Sequence, residues 1–299
     1  MDPNILTYEQ LLEAGYTRAS IDDALEREVL QRLRRGWYAQ LGALPDAVAA
    51  MRAGCHLGCL SGCRAHGLWV PAFHQVHAVY PRGAKPKRIP GVVFHHYRAT
   101  PPPAAVWPLE DCLAQVVRNH DVESALVVVE SAVNKGFITQ DEAEAMVRSS
   151  RHGDLRRYLS QAKSGSETRA RLFFQQRRVP VRSLVQIPGV GEVDLLVGDR
   201  LIVECDSEAH HTSMANRFVD GNRDLNAHLD RYQRIRLSYG QIWESWAGTQ
   251  VGLAAVIKQR RHTHRPRPSA ARTERGRARA RARERTVIDI GLDGAPLEN

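Results

Sequence analysis

The chain has 299 residues, 43% of them hydrophobic, and a formal charge of +9 at pH 7. That length suits two domains, each able to bury a core of its own. No run of about 18 apolar residues is present, which excludes a membrane-spanning helix. Five cysteines, odd in number and scattered, fit a reducing, cytoplasmic interior better than a disulfide framework. The opening segment MDPNILTYEQ lacks a basic and then apolar stretch, so no signal peptide is expected.

In chain order, Ile5, Leu6, Leu11 and Leu12 predict a first helix ending at Gly15. Ser20, with Asp23 three residues on, reads as a capping-box-like start of a second helix. Its apolar stripe is Ile21, Ala24, Leu25 and Val29. VLQRLRRGWYAQL then alternates, with Arg34, Arg35 and Gly36 as the turn of a basic wing. Residues 1–45 thus read as a winged helix-turn-helix. The presumed recognition helix carries Asp22, Asp23, Glu26 and Glu28 against Arg27. An acidic excess is unfavourable beside phosphates, so DNA contact is expected through the wing, at Arg32, Arg34 and Arg35. The alternative is that this module packs on a partner domain or forms a homodimer. The run GYTRASIDDALEREVLQRLRRGWYA is similar to the N-terminal domain of AbiEi-type antitoxins. CLSGCRAHGLW, which follows, resembles that family's next helix through Ser61, His66, Gly67 and Leu68. The resemblance implies promoter binding, self-repression of a toxin–antitoxin operon and a cognate toxin or defence partner.

Cys55, Cys59 and Cys63 fall four residues apart, one stripe of one helix, with His56 and His66 nearby. One helix cannot wrap a tetrahedral ion with ligands spread over two turns, so these cysteines are expected to pack as small buried hydrophobes. The rest of the α+β middle region, 46–150, reads as strands at VHAVYPRG and GVVFHHYRA, a Pro-rich break at Thr100–Pro103, and three helices. The helices are DCLAQVVRNH, then VESALVVVESAVNKG stopping at Gly136, then ITQDEAEAMVRSS capped by Thr139. His95 and His96 are expected to be structural.

Residues 160–262 carry the strongest chemical signal. Glu192 and Asp194 in EVDLLV, and Glu204 and Asp206 in LIVECD, sit at strand spacing in one hairpin. Like charges facing each other on a sheet repel, and a divalent cation relieves that. A three-residue turn at Gly198, Asp199 and Arg200 places Asp194 opposite Glu204 and Glu192 opposite Asp206. It also gathers Val193, Leu195, Val197, Leu201, Val203 and Cys205 on one apolar face, so this register is the one expected. The alternative is a solvated hairpin whose acids pair with nearby arginines. GEVDLLVGDRLIVECDSEAHH resembles the core of PD-(D/E)XK nucleases, in the branch of the very-short-patch repair endonucleases. Glu167 matches that family's first-helix acid, and Asp220, Arg223 and Arg236 match its Asp-x-x-Arg helix and following strand. One departure is Asp206, which stands where the family name implies a Lys. The resemblance implies a restriction-endonuclease-like three-layer α/β/α domain that cuts DNA with Mg²⁺, or Mn²⁺ in its place. Asp194, Glu204 and Asp206 would hold the metal, Glu167 would support it, His210 or His211 would move a proton, and Arg223 and Arg236 would clamp phosphate.

Residues 258–285 hold twelve Lys/Arg against Glu274 and Glu284, so the remaining 30 basic and 31 acidic residues nearly cancel. Residues 263–299 therefore read as a disordered basic tail that adds affinity for phosphate backbone. The expected whole, α+β and α/β, is a DNA-acting endonuclease of phage defence, repair or a mobile element. The rival is a non-catalytic AbiEi-type repressor.

Overall fold

The computed structural model describes residues 3–81, 83–148, 150, 155–205 and 232–263. The chain divides into two compact units, Met1–Arg178 and Val179–Asn299. Its described residues form a mixed α+β architecture with three small sheets. No helix among them is long and apolar enough to cross a membrane.

The first unit begins with β1 (Ile5–Thr7), α1 (Tyr8–Glu13), α2 (Arg18–Glu26), β2 (Leu30–Arg34) and β3 (Trp37–Gln40). The strands form an antiparallel sheet ordered β1-β3-β2. The helix expected from Ile5 onward is corrected here: Ile5 and Leu6 are strand residues opposite Ala39 and Tyr38. Thr7 sets the true start, because its hydroxyl accepts the N–H of Gln10 at 3.1 Å while the Gln10 side chain accepts the N–H of Thr7 at 2.8 Å. The second helix is also capped earlier than expected. Thr17 and Ser20 make the reciprocal pair, at 3.2 and 2.8 Å, so Ser20 is an interior residue of the first turn. Val29 lies beyond α2 and is exposed, not part of its stripe. Leu11, Ile21, Ala24, Leu30 and Tyr38 close the core beneath.

The unit continues through α3 (Pro45–Arg52), β4 (His56–Leu57), α4 (Cys59–Ala65), β5 (Val76–Pro81) and β6 (Val92–Tyr97). Then come α5 (Leu109–Asn119), α6 (Val122–Asn134), α7 (Gln140–Arg148) and α8 (Gly165–Gln176). The two middle strands and three helices lie where the sequence puts them. β5 pairs with β4 antiparallel and with β6 parallel. The cysteines do not share one helix, which corrects that expectation. Cys55 precedes β4, Cys59 opens α4, and Cys63 follows one turn later. All three are buried. α6 and α8 are pinned by a buried ion pair: Arg171 Nη2 reaches both Glu130 oxygens, at 2.5 and 2.7 Å. Thr168 Oγ1 and the N–H of Ser160 complete the Glu130 carboxylate at 2.7 and 2.9 Å. Burial pushes the Glu130 carboxyl up and the Arg171 guanidinium opposes it.

The second unit contains β7 (Val181–Ile187), β8 (Gly191–Val197), β9 (Leu201–Cys205), β10 (Gln233–Leu237), α9 (Tyr239–Trp243) and α10 (Trp246–Lys258). The sheet order is β10-β9-β8-β7. β7, β8 and β9 form an antiparallel meander, and β10 runs parallel to β9. Val197 faces Leu201 and Leu195 faces Val203, so the hairpin turn is Gly198, Asp199 and Arg200. Gly198 has φ +58° and lies against the carbonyl of His262, leaving no room for a Cβ. Val193, Leu195, Val197, Leu201 and Val203 are all fully buried.

Candidate functional site

The β8–β9 register carries on from Leu195 and Val203 to set Asp194 against Glu204. Here the backbone ladder gives way to side chains. The N–H of Asp194 donates to Glu204 Oε2 at 3.2 Å, and the N–H of Cys205 donates to Asp194 Oδ2 at 2.8 Å. The other edge of β8 is interrupted at the same level. Pairing with β7 skips from Ser183↔Leu195 to Val185↔Val193, and the skipped Leu184 has φ +50°. A bulky residue in the left-handed region is a local strain, and it sits across from Asp194.

Asp194 and Glu204 therefore face each other at one end of a strand pair whose other end is apolar. Leu196 and Ile202 continue the same face and are buried. Glu192 lies two residues before Asp194 and is exposed. Glu204 Oε1 accepts from Arg234 Nη2 on β10 at 2.8 Å, with both side chains largely buried. Arg236, paired in register with Glu204, is exposed. Asp206, His210, His211, Asp220 and Arg223 lie outside the described residues.

Glu167 belongs to the first unit. It sits in the first turn of α8, where Ser164 Oγ accepts its N–H at 3.2 Å. Its oxygens accept from Ser164 Oγ and from the N–H of Lys163 at 2.9 and 2.8 Å. A carboxylate at that place caps the helix and complements its dipole.

In the N-terminal hairpin, Arg32 and Arg35 are exposed while Arg34 turns inward. Arg34 lies over the Trp37 ring at 5.3 Å and donates to His56 Nε2 at 3.1 Å. His56 Nδ1 in turn donates to the carbonyl of Ala104 at 2.7 Å. Arg34 is therefore bound into the fold, and the hairpin leaves Arg32 and Arg35 exposed.

A second grouping lies in the first unit and has no local sequence signature. Cys59, His77, His95 and His120 come together from four elements, with one donor atom of each within 4.8 Å of the others. The sequence pattern points to a structural His95 and sets Cys59 with Cys55 and Cys63, not with the histidines. The four residues are far apart in sequence, so no local spacing signals them.

No family model and no curated protein matches this chain. Among solved structures, one described as the crystal structure of the RV2827C protein from Mycobacterium tuberculosis is similar over 55% of this chain and 69% of that one. The identity is 16% and the TM-score 0.25, a likeness too slight to bear on fold or function.

Proposed function

We propose that the chain is a metal-dependent endonuclease that hydrolyses DNA phosphodiester bonds. In this reading residues 160–262 are a PD-(D/E)XK-like catalytic domain and residues 1–45 are a winged helix that binds DNA or a partner. One observation carries the proposal: Asp194 and Glu204 face each other where the sheet ladder opens, with an oxygen of each engaged by backbone N–H groups. Facing carboxylates with only oxygen donors suit a hard divalent cation. Asp194 and Glu204 would hold Mg²⁺ or Mn²⁺, joined by Asp206. Such an ion, when bound, makes hydroxide available near neutral pH and offsets charge on the phosphate.

The chain's own residues supply the rest. Arg234 and the N–H of Asp194 fix both oxygens of Glu204, so the carboxylate is oriented before any ligand arrives. Arg236 stands beside it, where a guanidinium suits a phosphate oxygen. Glu167 is read as a supporting acid, His210 or His211 as the proton carrier, and Arg223 as a second phosphate contact, all three on the sequence resemblance.

The test is cleavage of plasmid and linear DNA by pure protein with Mg²⁺, Mn²⁺ or EDTA. Asp194→Asn is expected to lower the rate on the order of 10²-fold or more, the scale of losing one preorganised charge-stabilising group, with DNA affinity retained. No cleavage with any of these metals would overturn the proposal.

A second reading is a non-catalytic AbiEi-type regulator. It is favoured by the Glu204–Arg234 ion pair, which balances one carboxylate without an ion. Sequence-specific DNA binding by a protein inert in the cleavage assay is its expected signature.

A further inference from the structure

We propose that Cys59, His77, His95 and His120 form a tetrahedral zinc site that ties the first unit together. The inference concerns the first unit alone and is independent of the nuclease reading.

The geometry comes first. Cys59 opens α4, His77 lies on β5, His95 on β6, and His120 caps the C-terminus of α5. His77 Nδ1 and His95 Nε2 are 2.9 Å apart, and His120 Nε2 is 3.1 Å from Cys59 Sγ. Zn–N and Zn–S bonds of roughly 2.0 and 2.3 Å put tetrahedral ligand atoms about 3.3–3.7 Å apart. These two close pairs need to open by only a few tenths of an ångström, and the remaining pairs lie within 4.8 Å. His77 and His95 stack at 5.1 Å with 11° between ring planes, and His120 lies 5.0 and 5.6 Å from them. Phe73 meets His77 edge-on at 5.1 Å and shields that side.

The backbone around Cys59 is arranged at a cost. Cys59 has φ +52°, a conformation that a side chain disfavours. Gly58 before it has space for no Cβ: an added one would lie 2.6 Å from both Gln115 Oε1 and Val79 Cγ2. The N–H of Cys59 donates to Gln115 Oε1 at 2.8 Å. Gln115 is fully buried, as is Cys59 itself. Packing alone would accept a cysteine in any helical conformation. This arrangement aims Sγ at three imidazoles.

The chemistry agrees. Three imidazoles and a thiol, buried or half-buried with no carboxylate among them, are a poor core but a complete N₃S donor set. Burial and mutual proximity hold His77 down to about 3 and His95 down to about 4, so the rings are neutral, the form that binds metal. Burial pushes the Cys59 thiol up to about 12; on binding, its proton leaves for solvent and the thiolate takes the ion. Two positive charges against one thiolate leave +1, and Asp121 beside His120 offsets part of it. Four protein ligands close the coordination shell, so the site is structural, not catalytic.

Full-length, tag-free protein, stripped with a chelator, is titrated with Co²⁺ and then Zn²⁺. One equivalent of cobalt is expected to give a tetrahedral ligand-field spectrum with a thiolate-to-metal charge-transfer band, which zinc abolishes. Cys59→Ser should remove the band and weaken zinc binding more than about 100-fold, beyond the loss seen for outer-shell residues. Cys205→Ser, beside the carboxylates of the second unit, should keep both. Cobalt held by Asp194 and Glu204 gives no thiolate band, so the two metal sites are told apart. No band in the unaltered protein, or one that survives Cys59→Ser, overturns the proposal. Should Cys59→Ser not fold, His95→Ala substitutes for it: the same fall in zinc affinity is expected, and an unchanged affinity overturns the site.

Discussion

Asp194 gives its N–H to Glu204 Oε2 at 3.2 Å, so the two facing carboxylates share a hydrogen-bond frame in place of a strand ladder. Like charges so placed destabilise a strand pair by roughly 0.2–1 kcal/mol. Asp194→Asn removes one of them and keeps an oxygen for the N–H of Cys205. It is therefore expected to cost the protein no more than about 1 kcal/mol in urea unfolding in the presence of EDTA, while, in the nuclease reading, lowering cleavage on the order of 10²-fold or more. A large loss of stability without metal would instead make Asp194 a structural residue.

Arg234 offers a separable prediction. Its Nη2 lies 2.8 Å from Glu204 Oε1, and both side chains are shielded from water. Arg234→Gln loses the charge and loosens the carboxylate. In the nuclease reading, removing this cation, which competes with the metal for Glu204, lowers the Mg²⁺ concentration needed for half-maximal cleavage and leaves the rate at saturating Mg²⁺ nearly unchanged. A fall at saturation with no change in metal requirement would place Arg234 on the phosphate instead.

The buried Glu130–Arg171 pair joins α6 to α8 and is fully hydrogen-bonded on the carboxylate side. Glu130→Ala leaves the guanidinium buried without its counter-charge, and is expected to cost about 3–5 kcal/mol in urea unfolding. Glu130→Met combined with Arg171→Met should be less destabilising than Glu130→Met alone, because no charge is then stranded. Additive losses would show that the pair is solvated after all.

These sites differ in how far the sequence exposes them. The β8–β9 register was legible, since alternation of Val193, Leu195, Val197, Leu201 and Val203 permits only one pairing that keeps them on one face. Helix ends were partly legible. Gly136 stops α6 with φ +72°, but Thr17 competes with Ser20 as a cap, and only the folded chain decides. Ile5 and Leu6 are ambiguous in sequence because two apolar residues fit either period, and their strand is made by a partner 32 to 34 positions away. The Cys59 cluster was not legible at all. Its ligands are brought together by parallel pairing of β5 with β6 and by the packing of α4 on α5, neither of which leaves a local pattern. Glu130 and Arg171 are hidden for the same reason.

Gly58 tests the backbone around Cys59 without touching a donor atom. An alanine there would bring its Cβ to 2.6 Å from Gln115 and Val79 and 3.0 Å from Trp107. Overpacking of this kind costs typically about 1–3 kcal/mol. Gly58→Ala is expected to fold with that loss, measured by urea unfolding of the chelated protein, and to bind zinc more weakly because Cys59 is pushed from its place. Unaltered stability would mean that the Gln115 side chain moves aside freely.

Two hairpin arginines allow the proposed DNA contact to be tested separately from folding. Arg35 is exposed at the hairpin turn, whereas Arg34 is stacked on Trp37 and donates to His56. If the hairpin meets phosphate, Arg35→Ala should weaken DNA binding across all sequences and reduce the slope of log affinity against log salt by about 1. Its melting temperature should stay that of the unaltered protein. Arg34→Ala should instead lower the melting temperature, since Trp37 and His56 lose their partner, and any loss of DNA affinity would follow from that. Fluorescence anisotropy at several salt concentrations, paired with thermal unfolding, distinguishes the two. An Arg35→Ala protein with unchanged affinity and salt slope would move the contact off the β2–β3 hairpin and leave α2, with Asp22, Asp23 and Glu26 exposed, as a face for a basic partner instead of for DNA.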